Sequence, residues 1–443
     1  MVNHLPKKKL LVISDPLIGG SVQLNFLKNI VETLGEKFSV TVYSSFLDNT
    51  SRLTLKNVSI AGKQRLFFPY RIFKHFFGDN EGMLWAYSWL MEFLFKRNSS
   101  DYEKRVKSES YDSFINIAQT IPASSNVYWG QSVPLDQTLM GMRVSTPILK
   151  IIPKIVIRQV GKIDRTFIKR IAERGKVVVT NSYYTKSIYQ NLGVNVQGVI
   201  YSAPNLYAFK PTSGEGNSKY ALAYIGKETE IETILKIARS GVKIVTFGAK
   251  IPTGSQIGEL VKLTEFRGYV SEKELIKLYS NAVFTLFPFT HEPFGYVPLE
   301  SISCGTPVLT YSRQGPSETV IEGVSGWLAN NSNELVEKAV TIWNSATKMQ
   351  ITEDVQNTAR NFSKFGTYPE ISALLAYSFS RILSRIFLGC ICPVLPACLN
   401  EMSILPDLVD QCKVLFSIQV HPLRHCFPQT PNPTMVSNIF IET

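Results

Sequence analysis

Two glutamates eight positions apart stand in the segment HEPFGYVPLESISCGTPVL, residues 291–309. Glu292 falls in a loop that follows the apolar run FTLFPF. Pro298 marks a helix start, because proline is tolerated where helix N–H groups have no partner. Gly305 then ends that helix, so Glu300 lies in its first turns. Both carboxylates are therefore expected at the carboxyl end of a strand, where open α/β sheets bind ligands.

A helix start beside two carboxylates is suited to a particular kind of ligand. The free N–H groups of the first turn and the helix dipole favour a phosphate. Carboxylates recognise hydroxyl groups well, because their hydrogen bonds are charge-assisted and directional. The segment thus predicts recognition of a sugar and a ribose next to a phosphate. For either glutamate taken singly, a solvated loop charge or a simple helix-start charge remains the alternative.

The chain around this segment alternates short apolar runs with helical patterns. This alternation is the signature of a parallel, doubly wound α/β sheet. In the first half it predicts strands at 10–15, 38–44, 113–119 and 176–181, and helices at 20–35 and 182–193. In the second half it predicts strands at 220–226, 242–248, 284–289 and 306–311, and helices at 271–281 and 332–346.

A chain of 443 residues is too long for one ordinary core, so at least two domains are expected. The stretch KPTSGEGNS, rich in Pro, Gly and Ser, predicts an interdomain linker. The expected organisation is a first domain at 1–209, the linker at 210–218, a second domain at 219–358, a closing helical segment at 359–383 and an extension at 384–443. Prolines interrupt every period in that extension.

The net charge of +12 lies in the first 383 residues, since the rest holds three cationic and four acidic side chains. A basic surface suits anionic partners such as nucleotides, phosphates or acidic lipids, although solubility alone is the alternative. No nucleic-acid recognition motif accompanies the charge. Cys304 is the single cysteine before Cys390, so no disulfide scaffold is indicated and a reducing cytoplasm is expected.

The segments EPFGYVPLESISCGTPVL (292–309) and GPSETVIEGVSGWL (315–328) resemble the E-x7-E region of family-4, or group 1, glycosyltransferases. FRGYVSEKELIKLYSNA (266–282) and VVTNSYYTKSIYQNLG (178–193) are similar to that family as well. The resemblance covers roughly residues 8–380. It implies a GT-B architecture, in which two Rossmann-like doubly wound domains face a cleft and a C-terminal helix returns to the first domain.

The same resemblance implies an activity. Members of the family carry out retaining transfer of a hexose from a UDP- or GDP-linked sugar, held mainly on the second domain, to a saccharide or lipid-linked acceptor on the first. They use no metal and no other cofactor. In agreement, the sequence offers no Asp-x-Asp pair for a divalent cation.

Carried over by position, the resemblance also implies roles for individual residues. Glu292 would face the donor sugar as the catalytic residue, and Glu300 would bind the ribose hydroxyls. The backbone at Phe294 and Gly295 would contact sugar hydroxyls. The remaining donor-binding residues would be Gly19 and Gly20 near the diphosphate, where glycine admits close backbone contact, Lys227 beside the diphosphate, and Tyr269 and Val270 near the base.

Two positions depart from the family pattern. The first strand of the second domain is followed by Lys227, a point charge where the family has an arginine fork. Glu232 then occupies the place of a second cation, so Arg313 or a first-domain residue would have to substitute. The family's first-domain histidine is absent, and its loop reads YWGQS (128–132), which offers Gln131 or backbone groups instead.

Other functions and partners stay open at this point. A glycoside hydrolase would need its two glutamates about 5–10 Å apart across one bond, and Glu232 favours a catalytically weak nucleotide-sugar-binding protein. The aromatic and basic segment at 65–78 and the basic run at 150–176 are suited to an anionic lipid surface or to ordinary helix faces. The expected location is the cytoplasm, with peripheral contact at the cytoplasmic membrane face as an open alternative.

Overall fold

The computed structural model of the chain describes residues 7–19, 21–56, 58–61, 81–106, 110–135, 137, 139, 153–202, 206–212, 219–226, 228–248, 255–345 and 349–365. All of them belong to the first of two units into which the chain divides, Met1–Ile371. The predictions made for Gly20, Lys227, residues 65–78 and residues 384–443 lie outside the described residues.

The first domain is built on a parallel sheet with the order β3-β2-β1-β4-β5-β6-β7. Its strands are β1 Lys8–Ser14, β2 Phe38–Ser44, β3 Ser59–Ile60, β4 Ser113–Asn116, β5 Ser125–Gly130, β6 Gly175–Thr180 and β7 Gly198–Val199. Its helices are α1 Val22–Leu34, α2 Asn49–Thr54, α3 Glu81–Phe95, α4 Arg97–Val106, α5 Lys154–Ala172 and α6 Tyr183–Asn191. Four consecutive apolar residues of β1, Leu10 to Ile13, are fully buried, as expected for a strand covered on both faces.

The second domain is built on a parallel sheet with the order β10-β9-β8-β11-β12-β13. Its strands are β8 Ala221–Tyr224, β9 Ile244–Phe247, β10 Glu265–Phe266, β11 Thr285–Phe287, β12 Val308–Tyr311 and β13 Gly326–Ala329. Its helices are α7 Ile231–Arg239, α8 Ser255–Leu263, α9 Glu272–Asn281, α10 Tyr296–Ser303 and α11 Ser332–Asn344, and α12 Glu353–Phe365 follows. Counted within the domain, this is the Rossmann order 3-2-1-4-5-6, whose switch point lies between β8 and β11.

The predicted fold class, two doubly wound α/β domains, is confirmed. One prediction about the first domain was wrong in detail. Tyr128 and Trp129, assigned above to a loop, lie inside β5 and are fully buried. Only Gln131 and Ser132 of that segment leave the strand. Buried aromatic side chains pack well on a pleated sheet, which explains why the strand extends through them.

Helix α12 begins at Glu353, ahead of the start predicted at residue 359. Its first turn holds Glu353 and Asp354, which complement the helix dipole. From this helix Arg360 reaches two carbonyls: its Nε donates to the Phe209 oxygen at 3.1 Å, and a terminal nitrogen donates to the Ser303 oxygen at 2.7 Å. Arg360 therefore joins the end of α10 to the last residue of the predicted first domain.

Candidate active site

The Glu292 loop connects β11 to α10 and is fastened to the next loop of the sheet. The Glu292 N–H donates to Gln314 Oε1 at 2.8 Å, and the Gly315 N–H donates to the Glu292 oxygen at 3.0 Å. Gln314 and Gly315 belong to the segment after β12 that forms the short 3₁₀ helix Gly315–Glu318. The loops that follow two adjacent strands, β11 and β12, are therefore hydrogen-bonded to each other, and this fixes the backbone of Glu292.

The Glu292 carboxyl is partly buried at the switch point of the sheet. Its pKa is raised to about 7, mainly by burial and also by the charge of Glu228, in the loop after the adjacent strand β8. Hydrogen bonds from the N–H groups of Phe294 and Gly295 oppose that rise. With a pKa near neutrality, this carboxyl can both donate to and accept from a sugar hydroxyl.

The Glu300 carboxyl is positioned by a side chain of helix α9. The fully buried Tyr279 donates its hydroxyl to Glu300 Oε2 at 2.9 Å. The pKa of Glu300 is raised to about 7, because burial and the charge of Glu272 raise it more than the Tyr279 hydrogen bond lowers it. The hydroxyl thus fixes the orientation of the Glu300 carboxyl, and its predicted role at the ribose stays a prediction.

Helix α10 begins and ends as its sequence predicts. It starts after Gly295, whose φ of +93° suits glycine, and Pro298 sits in its first turn. It ends at Ser303, and Gly305 follows with φ +82°. The residue before the helix, Gly295, has no side chain to cap it, and its N–H donates to the Glu292 carboxyl. Helix N-termini in general attract anions such as a diphosphate.

The remaining described residues predicted to bind the donor lie at the carboxyl edges of the two sheets. Phe294 is buried and its ring stacks on Tyr201 of the first domain at 5.5 Å, so only its backbone is left for a sugar. Tyr269 is 80% exposed in the turn after β10, and Val270 follows it. The structure thus brings Phe294, Gly295, Glu292 and Glu300 together in one loop and helix.

Gly19 lies in the loop after β1, in the first domain. Its N–H donates to Asp48 Oδ2 at 2.9 Å. A Cβ at this position would collide with the side chain of Thr50. The close approach of Thr50 therefore explains the glycine without a ligand, and its predicted role near the diphosphate stays a prediction.

The two charges discussed for the diphosphate have distinct settings. Glu232, which stands where the family has a cation, forms a surface ion pair with Arg239 at 3.0 Å. Arg313 is exposed, and its guanidinium lies 4.9 Å from the ring centre of Tyr311. It also lowers the pKa of Tyr184, a first-domain residue. Arg313 therefore stands near the first domain and remains a candidate substitute cation.

One residue of this region was not predicted. Glu318 accepts hydrogen bonds from the N–H groups of Tyr183 and Tyr184 at the start of α6. Its pKa is raised to about 7, because burial raises it more than those hydrogen bonds lower it. GPSET belongs to the segment 315–328 that resembles group 1 glycosyltransferases. No local pattern shows that the glutamate in it meets residues 134 and 135 positions earlier.

Comparison with known proteins finds a family match within the second half of the chain. Residues 256–361 match the family described as "Glycosyl transferases group 1". A glycogen synthase of Mycobacterium tuberculosis is 37% identical over 67 residues, which are 15% of this chain and 16% of that protein. The chain thus spans about a sixth of that relative, and it spans 31% of a probable sucrose-phosphate synthase of Thermosipho melanesiensis.

Two solved structures share the fold across both domains. Sucrose-phosphate synthase of Thermosynechococcus elongatus gives a TM-score of 0.57 at 16% identity, covering 87% of this chain and 100% of that one. HepE of Anabaena, solved in complex with UDP and glucose, gives 0.53 at 15% identity, covering 86% and 99%. The fold is therefore that of GT-B glycosyltransferases, and the predicted resemblance to group 1 enzymes is confirmed for residues 256–361.

Proposed function

We propose that the protein is a retaining, metal-independent glycosyltransferase of family 4. It transfers a hexose from a UDP- or GDP-linked sugar to a saccharide or lipid-linked acceptor. The observation that carries the proposal is the Glu292 and Glu300 pair, in which two partly buried carboxyls lie at a helix start at the switch point of a Rossmann sheet. The pair lies inside the matched group 1 region.

The donor would bind along the carboxyl edge of the second sheet. Glu300, oriented by Tyr279, accepts from the ribose hydroxyls, and Glu292 bonds the transferred sugar. Tyr269 and Val270 stand at the carboxyl end of β10, where a base can stack. HepE, a structural neighbour, was solved with UDP and glucose, which supports a UDP sugar as the first donor to test.

The leaving group is a nucleoside diphosphate, and its charge must be neutralised in the transition state. The first-turn N–H groups of α10 and the cations Lys227 and Arg313 supply that neutralisation in our proposal. The bond from the anomeric carbon to the phosphate oxygen breaks as a bond to the acceptor oxygen forms. The acceptor proton passes to the departing diphosphate, so no other reactant is consumed.

The other two functions are not favoured. The matched family and the relatives are glycosyltransferases and synthases, not hydrolases. The argument for a catalytically weak protein rested on Glu232. The Glu232 carboxylate forms an ion pair with Arg239, and each of the two side chains is 43% exposed. This ion pair explains the glutamate without assuming that the donor site has been lost.

We further propose a cytoplasmic location with peripheral contact to an anionic membrane through helix α5. The helix carries six cations, and its single acid, Asp164, is buried and bonded to Trp89. Three large apolar side chains on it are exposed: Ile155 at 60%, Val156 at 46% and Ile163 at 38%. Among the described residues no helix has the length and apolarity to cross a bilayer. A basic face with exposed apolar residues is suited to the lipid interface.

A vesicle flotation assay tests this contact. The full chain should float with vesicles rich in phosphatidylglycerol and stay behind with pure phosphatidylcholine. The double variant Lys154→Glu, Arg158→Glu should lose flotation, while the double variant Lys273→Glu, Lys277→Glu on α9, whose side chains are also exposed, should keep it. Flotation of all three proteins alike would contradict the contact.

The activity is tested by incubating the full chain with UDP-glucose or GDP-mannose and saccharide acceptors. Nuclear magnetic resonance would report both the product and its anomeric configuration. We expect retention, and a fall in kcat of about 100-fold or more in Glu292→Gln. Inverted product, release of free sugar without nucleotide, or full activity of that variant would each overturn the proposal.

A further inference from the structure

Helix α6 of the first domain begins with three N–H groups that have no partner inside the helix, and all three are satisfied. The Ser182 hydroxyl accepts from the Thr185 N–H at 3.0 Å, which is an ordinary local cap. The other two N–H groups belong to Tyr183 and Tyr184. They donate to the two carboxyl oxygens of Glu318 at 2.9 and 2.8 Å. One glutamate of the second domain thus completes the cap of a first-domain helix.

Glu318 lies close to the loop that carries Glu292, residues 288–295, which we call the donor loop. It ends the 3₁₀ helix whose first residues hold Glu292: Gln314 accepts from the Glu292 N–H, and Gly315 donates to the Glu292 oxygen. A displacement of the Glu318 carboxyl would therefore also displace the Glu292 backbone, because only one short 3₁₀ turn separates the two contacts.

A second contact from the first domain strengthens the same junction. Tyr201, which follows β7, hydrogen-bonds Glu318 through its hydroxyl, and its ring stacks on Phe294 at 5.5 Å with an interplanar angle of 29°. The adjacent Ser202 hydrogen-bonds the hydroxyl of Tyr296. The first domain thus contacts the donor loop on both sides of Gly295.

The capped helix also carries a side chain to the site. Burial raises the pKa of the Tyr184 hydroxyl, the charge of Arg313 lowers it, and the charge of Glu292 raises it. Tyr184 is therefore within electrostatic reach of both the sugar-facing carboxyl and the candidate diphosphate cation. The backbone N–H of Tyr184 is one of the two that donate to Glu318.

We propose that Glu318 is a positioning residue that holds the two domains together over the donor. It does so by accepting hydrogen bonds from the first two N–H groups of α6. The inference rests on the proposed function, because closure is needed only where a donor and an acceptor must meet without water. A carboxyl group is suited to this role, because hydrogen bonds to it at a helix start are charge-assisted and reinforced by the dipole.

The test compares three variants of the full chain: Glu318→Ala, Glu318→Gln and Glu322→Gln. Glu322 is the matched control. It lies four positions further on, and its carboxyl also accepts a backbone N–H, that of Leu328, together with the ammonium of Lys338 at 3.3 Å. Both of its partners belong to the second domain, so its loss does not touch the junction.

Hydrogen exchange measured by mass spectrometry reports the junction directly, without any ligand. The peptide holding Tyr183 and Tyr184 should exchange at least about tenfold faster in Glu318→Ala than in wild type. Glu318→Gln, which keeps one acceptor oxygen, should fall between them. Glu322→Gln should leave that peptide unchanged. Unchanged exchange of this peptide in Glu318→Ala would overturn the inference.

Kinetics then separates positioning from stability. With UDP-glucose as the probe donor, Glu318→Ala should lower kcat by about 10- to 100-fold while the Kd for UDP stays within about threefold of wild type. Glu318→Gln should recover part of the kcat. An equal loss of kcat in Glu322→Gln, or a loss confined to the Kd, would mean a merely structural role.

The two proposals fail in different ways. If wild type neither binds nor transfers any nucleotide sugar, the proposed function falls, whereas the exchange result still decides whether Glu318 holds α6. If wild type transfers and Glu318→Ala transfers equally well, the positioning role falls and the proposed function stands.

Discussion

Substitution of Gly295 by alanine tests how tightly the donor loop is built. Gly295 precedes α10 with φ +93° and ψ 90°, a region that L side chains rarely adopt. A Cβ at this position would lie 2.7 Å from Pro316 Cγ and 3.4 Å from Pro298 Cγ. Pro316 belongs to the 3₁₀ helix that holds Glu292, so the added methyl group would push the donor loop away from that helix.

The magnitude follows from two contributions to the free energy of unfolding. The backbone conformation costs an alanine about 1–3 kcal/mol, and displacement of a packed proline ring adds about 1–3 kcal/mol. Gly241→Ala is the matched control, because its φ is +87° and no atom lies within 4 Å of the added Cβ. We therefore expect Gly295→Ala to lose about 2–6 kcal/mol and to exceed the loss in Gly241→Ala by about 1–3 kcal/mol.

Urea unfolding followed by circular dichroism measures both losses as shifts of the midpoint at constant slope. Binding of UDP, measured by calorimetry, should weaken in Gly295→Ala and stay unchanged in Gly241→Ala, because only the first change moves the donor loop. Equal unfolding losses in the two variants, or UDP binding that is intact in both, would refute the close approach of Pro316 as the reason for this glycine.

Three further outcomes are expected. Burial raises the pKa of Glu292 and Glu300 from 4.5 to about 7, so the native state binds protons more tightly than the unfolded chain. The melting temperature should therefore fall as pH rises from about 4.5 to about 7, and less steeply in Glu300→Gln. Tyr279→Phe should weaken UDP binding about 5- to 30-fold, since it removes one hydrogen bond to a carboxyl. Arg360→Ala should lower the unfolding free energy by about 2–4 kcal/mol in urea, whereas the exposed Arg239→Ala should change it little.

The loop and helix that carry the two glutamates could be predicted because their signals are local. Pro298 and Gly305 mark the first turn and the end of α10, and the structure places them there. The long apolar strands β1, β2 and β6 were found for the same reason, whereas β5 was missed. The shortest strands, β3, β7 and β10, have two residues each and show no period of their own. They exist because a neighbouring strand pairs with them.

The parts of the site that the sequence did not reveal depend on distant partners. Glu318 is one acidic residue in a loop until folding brings it to the start of α6, more than 130 positions earlier. Glu232 marked a missing cation, yet its setting became clear only with its ion pair to Arg239. Local turns and helix ends could be predicted from the sequence, whereas contacts between domains required the fold.

The central claim is that the second domain holds a nucleotide sugar through Glu300, and thermal melting with ligands tests it most directly. The full chain and its Glu300→Ala variant would be melted with UDP-glucose, GDP-mannose, UDP and GDP. A ligand at 100 times its Kd stabilises the folded state by about 2.7 kcal/mol. We predict that one nucleotide class raises the melting temperature of wild type and leaves that of Glu300→Ala unchanged. No shift with any of the four, or equal shifts in both proteins, would contradict the account.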